Sequence, residues 1–130
     1  MERIEVSAVF PGAPQQFFEA WLDSGRHAAF TGAGAEIDPA VGGQFTAWDG
    51  YIQGSNRLLE PFHRIVQGWR TTEFPPGSPD STLEILFEEE DGSTRITLLH
   101  SEIPDGQGEE YRQGWMDYYF EPMREYFGEK

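Results

Sequence analysis

The most informative part of the chain is residues 81–127, STLEILFEEEDGSTRITLLHSEIPDGQGEEYRQGWMDYYFEPMREYF. Its first half alternates apolar and polar residues, with Leu83, Ile85 and Phe87 on one face. This two-residue period is typical of a half-buried β-strand. The dipeptide Asp91-Gly92 favours a tight turn between antiparallel strands. The segment therefore predicts a β-hairpin with one apolar face.

The sequence period changes after Pro104. Apolar and aromatic residues then recur every three or four positions, which is the pattern of an amphipathic helix. The residues on this face are Tyr111, Trp115, Tyr118, Tyr119, Met123, Tyr126 and Phe127. We expect the helix to cover about residues 107–127. Pro122 lies inside it, removes one backbone hydrogen bond and should bend it.

The remainder of the chain supplies the other elements of a sheet. Alternation over residues 4–10 predicts an opening strand, and Pro14 suits the first turn of a following helix. A second short helix is expected at residues 27–30. From about residue 35 strands and turns alternate, with a strong hairpin signal at Asp49-Gly50. The predicted order is one strand, two helices, about six strands joined by hairpins, and the long helix.

A sheet built from hairpins is antiparallel and has one face to cover. The long C-terminal helix is the only predicted element large enough to cover that face. We therefore predict an α+β fold in which a curved antiparallel sheet surrounds this helix, as a single domain over residues 1–130. A strongly twisted sheet around one helix need not close its interior, so a cavity between them is expected.

Composition and charge exclude several classes of function. The chain has 23 acidic and nine basic residues, a formal net charge of −14, which repels nucleic acid and anionic membrane surfaces. The lack of cysteine excludes disulfides, thiolate metal sites and thiol nucleophiles. No stretch is long and apolar enough for membrane insertion, so we expect a cytoplasmic protein. No cofactor is indicated.

Five segments carry motifs that occur together in one known family. They are residues 35–45 (AEIDPAVGGQF, similar to the pattern D-x-R-x-G-G-x-F), 48–54 (WDGYIQG), 66–70 with Trp69, 114–123 with Gly114-Trp115, Tyr118-Tyr119 and Pro122-Met123, and 10–21. Together they resemble the activator of heat-shock-protein-90 ATPase homologue family, within the START-like (SRPBCC) superfamily. Ala40 departs from the pattern, which often has Arg there.

The resemblance implies the helix-grip fold, also called START-like or Bet v-like. In this fold two short helices follow the first strand, and a hydrophobic cavity lies between the sheet and the C-terminal helix. Superfamily members bind lipids, sterols, polyketides or plant hormones, and a minority are cyclases or dehydratases. The eukaryotic namesake of the family stimulates a chaperone ATPase.

Eight residues are candidates for the cavity lining. They are Phe30, Phe45, Trp48, Trp69, His100, Trp115, Tyr119 and Met123. Aromatic residues at helical spacing are equally typical of an ordinary core, so both interpretations remain open. The Tyr and Trp residues are the most informative, because each carries a polar atom that needs a partner.

His100 is the candidate for proton transfer. It continues the inward parity of Ile96 and Leu98, and histidine titrates near neutral pH. However, no residue near it has the spacing of a catalytic triad or a metal site, so a buried, hydrogen-bonded histidine is the alternative. His27 and His63 are expected on the surface.

Three functions follow from the sequence. The first is non-catalytic binding of a small hydrophobic or amphipathic ligand in the cavity. The second is a protein–protein interaction with a chaperone partner in a stress response. The third is a cyclase or dehydratase type of enzyme that uses His100. Neither the ligand nor the oligomeric state can be inferred from the residues.

Overall fold

The structure, a computed structural model, describes residues 1–128. Its seven strands are β1 (Glu2–Pro11), β2 (Glu36–Ile37), β3 (Gln44–Ala47), β4 (Ile52–Glu60), β5 (Arg64–Thr71), β6 (Ser81–Glu90) and β7 (Ser93–Ile103). Its helices are α1 (Pro14–Leu22), α2 (Ser24–Thr31), α3 (Gly108–Trp115) and α4 (Glu121–Phe127), with a π-helical segment (Met116–Phe120) between the last two. No helix in this part of the chain is long and apolar enough to cross a membrane.

The strands form one sheet in the order β1-β7-β6-β5-β4-β3-β2. Every neighbouring pair is antiparallel, and β2 to β7 follow each other as hairpins. β1 joins the far edge, where Ile4 pairs with His100 and Phe10 pairs with Thr94. At the β6–β7 turn Asp91 and Gly92 have φ angles of 52° and 82°, as a tight I′ hairpin requires. The predicted helix-grip sheet is confirmed.

Helices α1 and α2 meet at Asp23. Pro14 occupies the first turn of α1, where its missing N–H costs no hydrogen bond. The Asp23 carboxylate then accepts a hydrogen bond from the Arg26 N–H at 2.8 Å and caps the start of α2. α2 ends at Gly32, whose φ of 82° lets its N–H reach the Ala28 carbonyl.

The C-terminal helix comprises α3, the π-helical segment and α4, residues 108–127. In its middle the Glu121 N–H bonds to the Met116 carbonyl, five residues back, so this turn holds one residue more than an α-turn. Pro122 follows directly and has no N–H to donate. The irregularity predicted at Pro122 is therefore a π-turn just before it.

The π-turn changes which residues face the sheet. The buried residues of the helix are Gly108, Tyr111, Trp115, Tyr119, Phe120 and Met123. Tyr118 and Tyr126, predicted on the apolar face, are 59% and 53% exposed. Phe120, which the sequence pattern did not indicate, is 2% exposed. The prediction for the two tyrosines was wrong because it assumed an uninterrupted α-helical period.

Two groups of rings fill the space between helix and sheet. Near α1, the Phe10 ring lies 6.0 Å from Phe17 and 5.9 Å from Phe120, centroid to centroid. Near α3, the Trp69 ring lies 5.4 Å from Trp115 and 5.2 Å from Tyr111. The second group forms the floor of an open pocket.

Candidate functional site

A pocket of about 460 Å³ lies between the first half of the C-terminal helix and strands β3 to β5. One wall comes from the helix and the other from the β3–β4 turn and the end of β5. The lining residues are Trp48, Tyr51, Ile52, Trp69, Glu73, Glu110, Tyr111, Gly114, Trp115, Tyr118 and Tyr119. The volume lies in the range typical of small-molecule sites.

Four of the eight candidate lining residues border this pocket: Trp48, Trp69, Trp115 and Tyr119. The structure thus brings together residues from the β3–β4 turn, from β5 and from the C-terminal helix. Whether they contact a ligand stays a prediction.

The other four candidates, Phe30, Phe45, His100 and Met123, lie outside the pocket lining. Phe30 packs against the rings of Trp21, His27, Tyr119 and Phe127, Phe45 pairs with Gly54 across β3 and β4, and Met123 is 1% exposed. Each is a core residue in this structure. His100 lies behind the pocket floor.

Trp48 stands at the β3–β4 turn in a left-handed conformation, with a φ of 51°. Such a conformation is unusual for a bulky residue. It holds the indole against Tyr118, with ring centroids 5.5 Å apart. The Trp48 Nε1 atom is buried and has no hydrogen-bond partner among the described residues. A buried N–H donor without a partner is uncommon, and this one belongs to a pocket wall.

Two carboxyl groups, Glu73 and Glu110, belong to the same pocket lining. Glu110 is exposed, but loss of solvation, followed by the charge and hydrogen bond of Glu73, raises its pKa. Burial and then the hydrogen bond that the Tyr51 hydroxyl donates to Glu73 raise the pKa of Tyr51. The polar part of the pocket is therefore acidic, while Tyr51 remains a neutral hydrogen-bond donor.

A hydrogen-bond network fixes the Glu73 backbone beside the start of α3. The Tyr111 hydroxyl donates to Gln107 Oε1 at 2.7 Å and lies 2.7 Å from Thr71 Oγ1. Thr71 Oγ1 accepts from the Glu73 N–H at 3.1 Å, and Gln107 Nε2 donates to the Glu73 carbonyl at 3.0 Å. The end of β5 and the helix thus hold Glu73 from both sides.

His100 is buried and both of its ring nitrogens are occupied. The Trp115 Nε1–H donates to His100 Nδ1 at 3.1 Å; an indole can only donate, so Nδ1 carries no proton. The protonated Nε2 then donates to Ser81 Oγ at 2.8 Å, and Ser81 Oγ donates to the Trp69 carbonyl at 2.6 Å. Burial lowers the pKa of His100 to about 3. The network leaves no lone pair on this histidine for proton abstraction.

His27 is also buried, at 3% exposure, and its expected surface position was wrong. Its Nδ1 lies 2.8 Å from the Trp21 carbonyl, which can only accept, so Nδ1 carries the proton. Its Nε2 then accepts a hydrogen bond from the Tyr119 hydroxyl at 2.7 Å. Burial lowers the pKa of His27 to about 4. Sequence periodicity could not predict this pair, because His27 and Tyr119 are 92 residues apart.

His63 is exposed, as expected. The Gly42-Gly43 pair forms a bend before β3, with a φ of 84° at Gly42. Asn56 holds the bend, since its backbone accepts from the Gly42 N–H and donates to the Gly43 carbonyl. The pair serves the local fold and lies outside the pocket lining.

The pocket has the volume of a small-molecule site, but neither His27 nor His100 is available there as a base. Within residues 1–128, no cluster of three or more His, Asp or Glu side chains could hold a metal ion. The groups that line the pocket are therefore aromatic rings, tyrosine side chains and two carboxyl groups.

Comparison with known proteins identifies relatives over nearly the whole chain. The family model described as activator of Hsp90 ATPase homolog 1-like protein matches residues 12–128. The human activator of 90 kDa heat shock protein ATPase homolog 1 is 31% identical over 126 residues, and the mouse protein 30%. A solved structure of an HSP90 activator from Plasmodium falciparum has a TM-score of 0.88 at 24% identity, covering 98% of this chain and 97% of that one.

The alignments to the human and mouse proteins cover 97% of this chain but 37% of each relative. The chain thus spans just over a third of the length of these curated relatives. The match to the Plasmodium structure agrees with the helix-grip architecture described above. On the match of the family model to residues 12–128, the chain belongs to the activator of Hsp90 ATPase homolog 1-like family.

Proposed function

We propose that this protein binds a 90-kDa heat-shock-protein chaperone and changes the rate of its ATPase. The observation that carries the proposal is the family match over residues 12–128, together with 31% identity to a human protein named as an activator of that ATPase. Because the chain spans 37% of that relative, the size of the effect on the ATPase is left to the experiment.

The chemistry of the molecule is compatible with such a role. A protein that activates another protein's ATPase needs a binding surface and no active site of its own, since the chaperone holds the nucleotide. In this chain His27 and His100 are buried in structural hydrogen bonds. Their positions suit a binding module.

The test is to add the purified protein to a 90-kDa heat-shock protein and to follow phosphate release from ATP. We expect a changed hydrolysis rate that saturates with added protein, and a complex detectable by calorimetry. The protein alone controls for contaminating ATPase. A second titration at higher salt controls for nonspecific attraction, because the net charge of −14 gives long-range effects that salt screens. The proposal would be contradicted if neither a complex nor a rate change were detected at up to about 100 μM protein.

A second candidate function, favoured by the pocket itself, is the binding of a small amphipathic molecule. The support is a pocket of about 460 Å³ lined mostly by aromatic residues, among them Trp48, whose buried indole N–H has no hydrogen-bond partner among the described residues. The function is independent of the first, and either can hold without the other.

Native mass spectrometry of freshly purified protein tests this second function. We expect extra mass that disappears under denaturing conditions. The variant Gly114→Leu should lose it, because Gly114 lines the pocket and an added Cβ there meets only ordinary contacts. The change also replaces a helix-disfavouring glycine, so the fold should not weaken. Gln113→Leu places the same side chain outside the lining and is the matched control. Equal extra mass in both variants would contradict pocket binding.

A further inference from the structure

The residues that line the pocket combine aromatic faces with negative charge. Seven of the eleven lining residues are aromatic, two are glutamates and, within the described part of the chain, none of the eleven is basic. We propose that the pocket selects a small organic cation, with its ammonium group at Glu73 and Glu110 and its apolar body against the aromatic walls. This inference rests on the proposed pocket-binding function and specifies its ligand class.

The aromatic walls favour a cation over a neutral molecule of the same shape. Trp48 and Tyr118 meet edge to face on one side, with centroids 5.5 Å apart, while Trp69 and Trp115 are tilted by 43° at 5.4 Å. Ring faces carry partial negative charge and attract an ammonium group within about 6 Å of a centroid. Several rings around one volume therefore form a cage suited to an alkylated ammonium.

The two carboxyl groups add a full charge to this preference. Glu73 and Glu110 both line the pocket, and after desolvation the charge and a hydrogen bond of Glu73 raise the pKa of Glu110. Neighbouring carboxyl groups disfavour a second negative charge, and a cation bound beside them favours the ionised form of both. Within residues 1–128, the lining contains no arginine that could neutralise them. Arg70 and Arg112, which are near them in sequence, pair with Asp80 and Glu109.

The position of Glu73 is set before any ligand arrives. Tyr51 donates to its carboxylate, and Gln107 Nε2 and Thr71 Oγ1 hold its backbone. A carboxylate that is already oriented loses less conformational entropy when it binds a cation. Tyr51 donates a single hydrogen bond to one oxygen of this carboxylate and leaves other lone pairs available, because an ionised carboxylate accepts about four hydrogen bonds.

The experiment compares three probes with the same apolar body: 3-phenylpropyltrimethylammonium, 3-phenylpropanol and 4-phenylbutanoate. Their affinities for the full chain are measured by isothermal titration calorimetry at fixed ionic strength. We expect the cation to bind at least about tenfold more tightly than the alcohol, which is the order of effect of cation–π contact plus a nearby carboxylate. The anion should bind more weakly than either.

Two double variants separate a local effect from the effect of net charge. Glu73→Gln/Glu110→Gln removes both pocket charges while keeping the side-chain shapes, and Glu5→Gln/Glu125→Gln removes two exposed charges outside the lining. We expect the first variant to lower the affinity for the cation about tenfold and to leave the alcohol within about twofold. The second variant should leave both affinities within about twofold of the parent protein. Thermal midpoints verify that each variant is folded.

The outcomes distinguish the two levels of the proposal. Equal binding of all three probes, or an unchanged cation affinity in Glu73→Gln/Glu110→Gln, would overturn the cation preference and leave pocket binding intact. An equal loss in both double variants would also overturn it, because the effect would then come from net charge alone. No binding of any probe to the parent protein would overturn the pocket-binding function itself.

Discussion

Two buried histidines are held in the neutral form by their hydrogen-bond partners in the core. His27 and His100 each serve as donor and acceptor in one defined tautomer, which only the neutral imidazole can do. A protonated ring would present an N–H to Tyr119 in one case and to the Trp115 indole N–H in the other. The burial of both rings makes that state costly, and their lowered pKa values follow from it.

The stability should therefore fall below neutral pH. Both histidines have folded pKa values below the ordinary 6.5, so the unfolded chain binds more protons as the pH drops, and the stabilisation present above 6.5 is lost towards the folded values of about 4 and about 3. Between pH 6.5 and 5 each histidine should remove about 2 kcal/mol. Urea denaturation across this range measures the loss.

His100→Gln provides the control for this prediction. Glutamine can still accept from the Trp115 indole and donate to Ser81, but it does not titrate. The variant should lose about half of the pH dependence between pH 6.5 and 5. An undiminished slope would show that groups other than His100 cause the acid sensitivity.

Trp115 is expected to be one of the most sensitive positions in the chain. It is 3% exposed, packs on Trp69 and donates to His100. Trp115→Ala should lower the free energy of unfolding by about 3–5 kcal/mol, the usual cost of deleting a large buried ring. The half-buried Trp48→Ala is the comparison and should cost less. Calorimetry that finds the same thermal midpoint for Trp115→Ala and the parent would refute the assigned helix face.

For single residues, the alternation along a strand predicts which side chains point inward. The inward position of His100 follows from Ile96 and Leu98 on the same strand, and the structure confirms that it is buried. The burial of His27 could not be predicted, because it depends on contacts with Trp21 and with Tyr119, far away in sequence. Short-range periodicity carries no information about such a pair.

Among the elements, the C-terminal helix departs most from a regular pattern. The π-turn at Met116–Phe120 brings both Tyr119 and Phe120 to the sheet and leaves Tyr118 in solvent. In an uninterrupted α-helix, a different set of residues after Trp115 would face the sheet. The extra residue therefore shapes the wall of the pocket, since Tyr118 then stands beside Trp48 at 5.5 Å.

Deleting one exposed residue should destabilise the protein slightly in the π-turn and severely in α3. Deletion of Tyr118 removes the additional residue of the π-turn and restores an α-helical period, so the buried residues on either side keep their face. We expect a cost below about 2 kcal/mol, because the lost side chain is largely exposed. Urea denaturation measures the change.

Deletion of Arg112 is the matched experiment in α3. It removes an exposed residue from a regular α-helical stretch, so all later residues rotate by about 100° relative to the sheet. Buried rings such as Trp115 would leave their sites, and the variant should fail to fold. Similar stabilities for the two deletions would contradict the assignment of the π-turn.

The type of each element could be predicted from sequence more reliably than which of its residues face the core. Hairpin signals and the change of period after Pro104 predicted the sheet and the helix, and the structure confirms both. Pro122 indicated where the helix is irregular, but proline is compatible with a bend as well as with a π-turn. The phase of the residues between Trp115 and Pro122 is decided by packing against the sheet.

The whole molecule carries far more negative than positive charge. Seven ion pairs join two described residues, and in each of the seven both partners are at least a quarter exposed. Exposed pairs contribute little stability, whereas a net charge of −14 favours expansion of the chain. Self-repulsion should therefore dominate the response to salt.

We expect sodium chloride to raise the thermal midpoint. Between roughly 20 and 300 mM salt the Debye length falls from about 20 Å to below 8 Å, which screens repulsion across the domain. The expected rise is several degrees, equivalent to about 1–2 kcal/mol for a chain of this size. A midpoint that decreases with salt would mean that the ion pairs outweigh the net charge.

The general shape of the molecule could be predicted, but only half of the candidate site. Four of eight candidate residues border the pocket, because sequence period distinguishes inward from outward positions and not pocket from core. The acidic part of the pocket was missed, since Glu73 lies after β5 and Glu110 in α3, and only the packed fold brings them together.

The placement of the four tryptophans gives the protein a built-in optical signal. Trp21 and Trp69 lie 6.4 Å and 5.4 Å from Trp115, close enough for their excited states to couple, whereas Trp48 stands apart at the pocket wall. Exciton coupling among the three should produce a strong near-ultraviolet dichroism that vanishes on unfolding. Because Trp48, Trp69 and Trp115 all border the pocket, the wavelength of tryptophan emission should depend on what fills it, so one unlabelled sample reports folding by dichroism and occupancy by fluorescence.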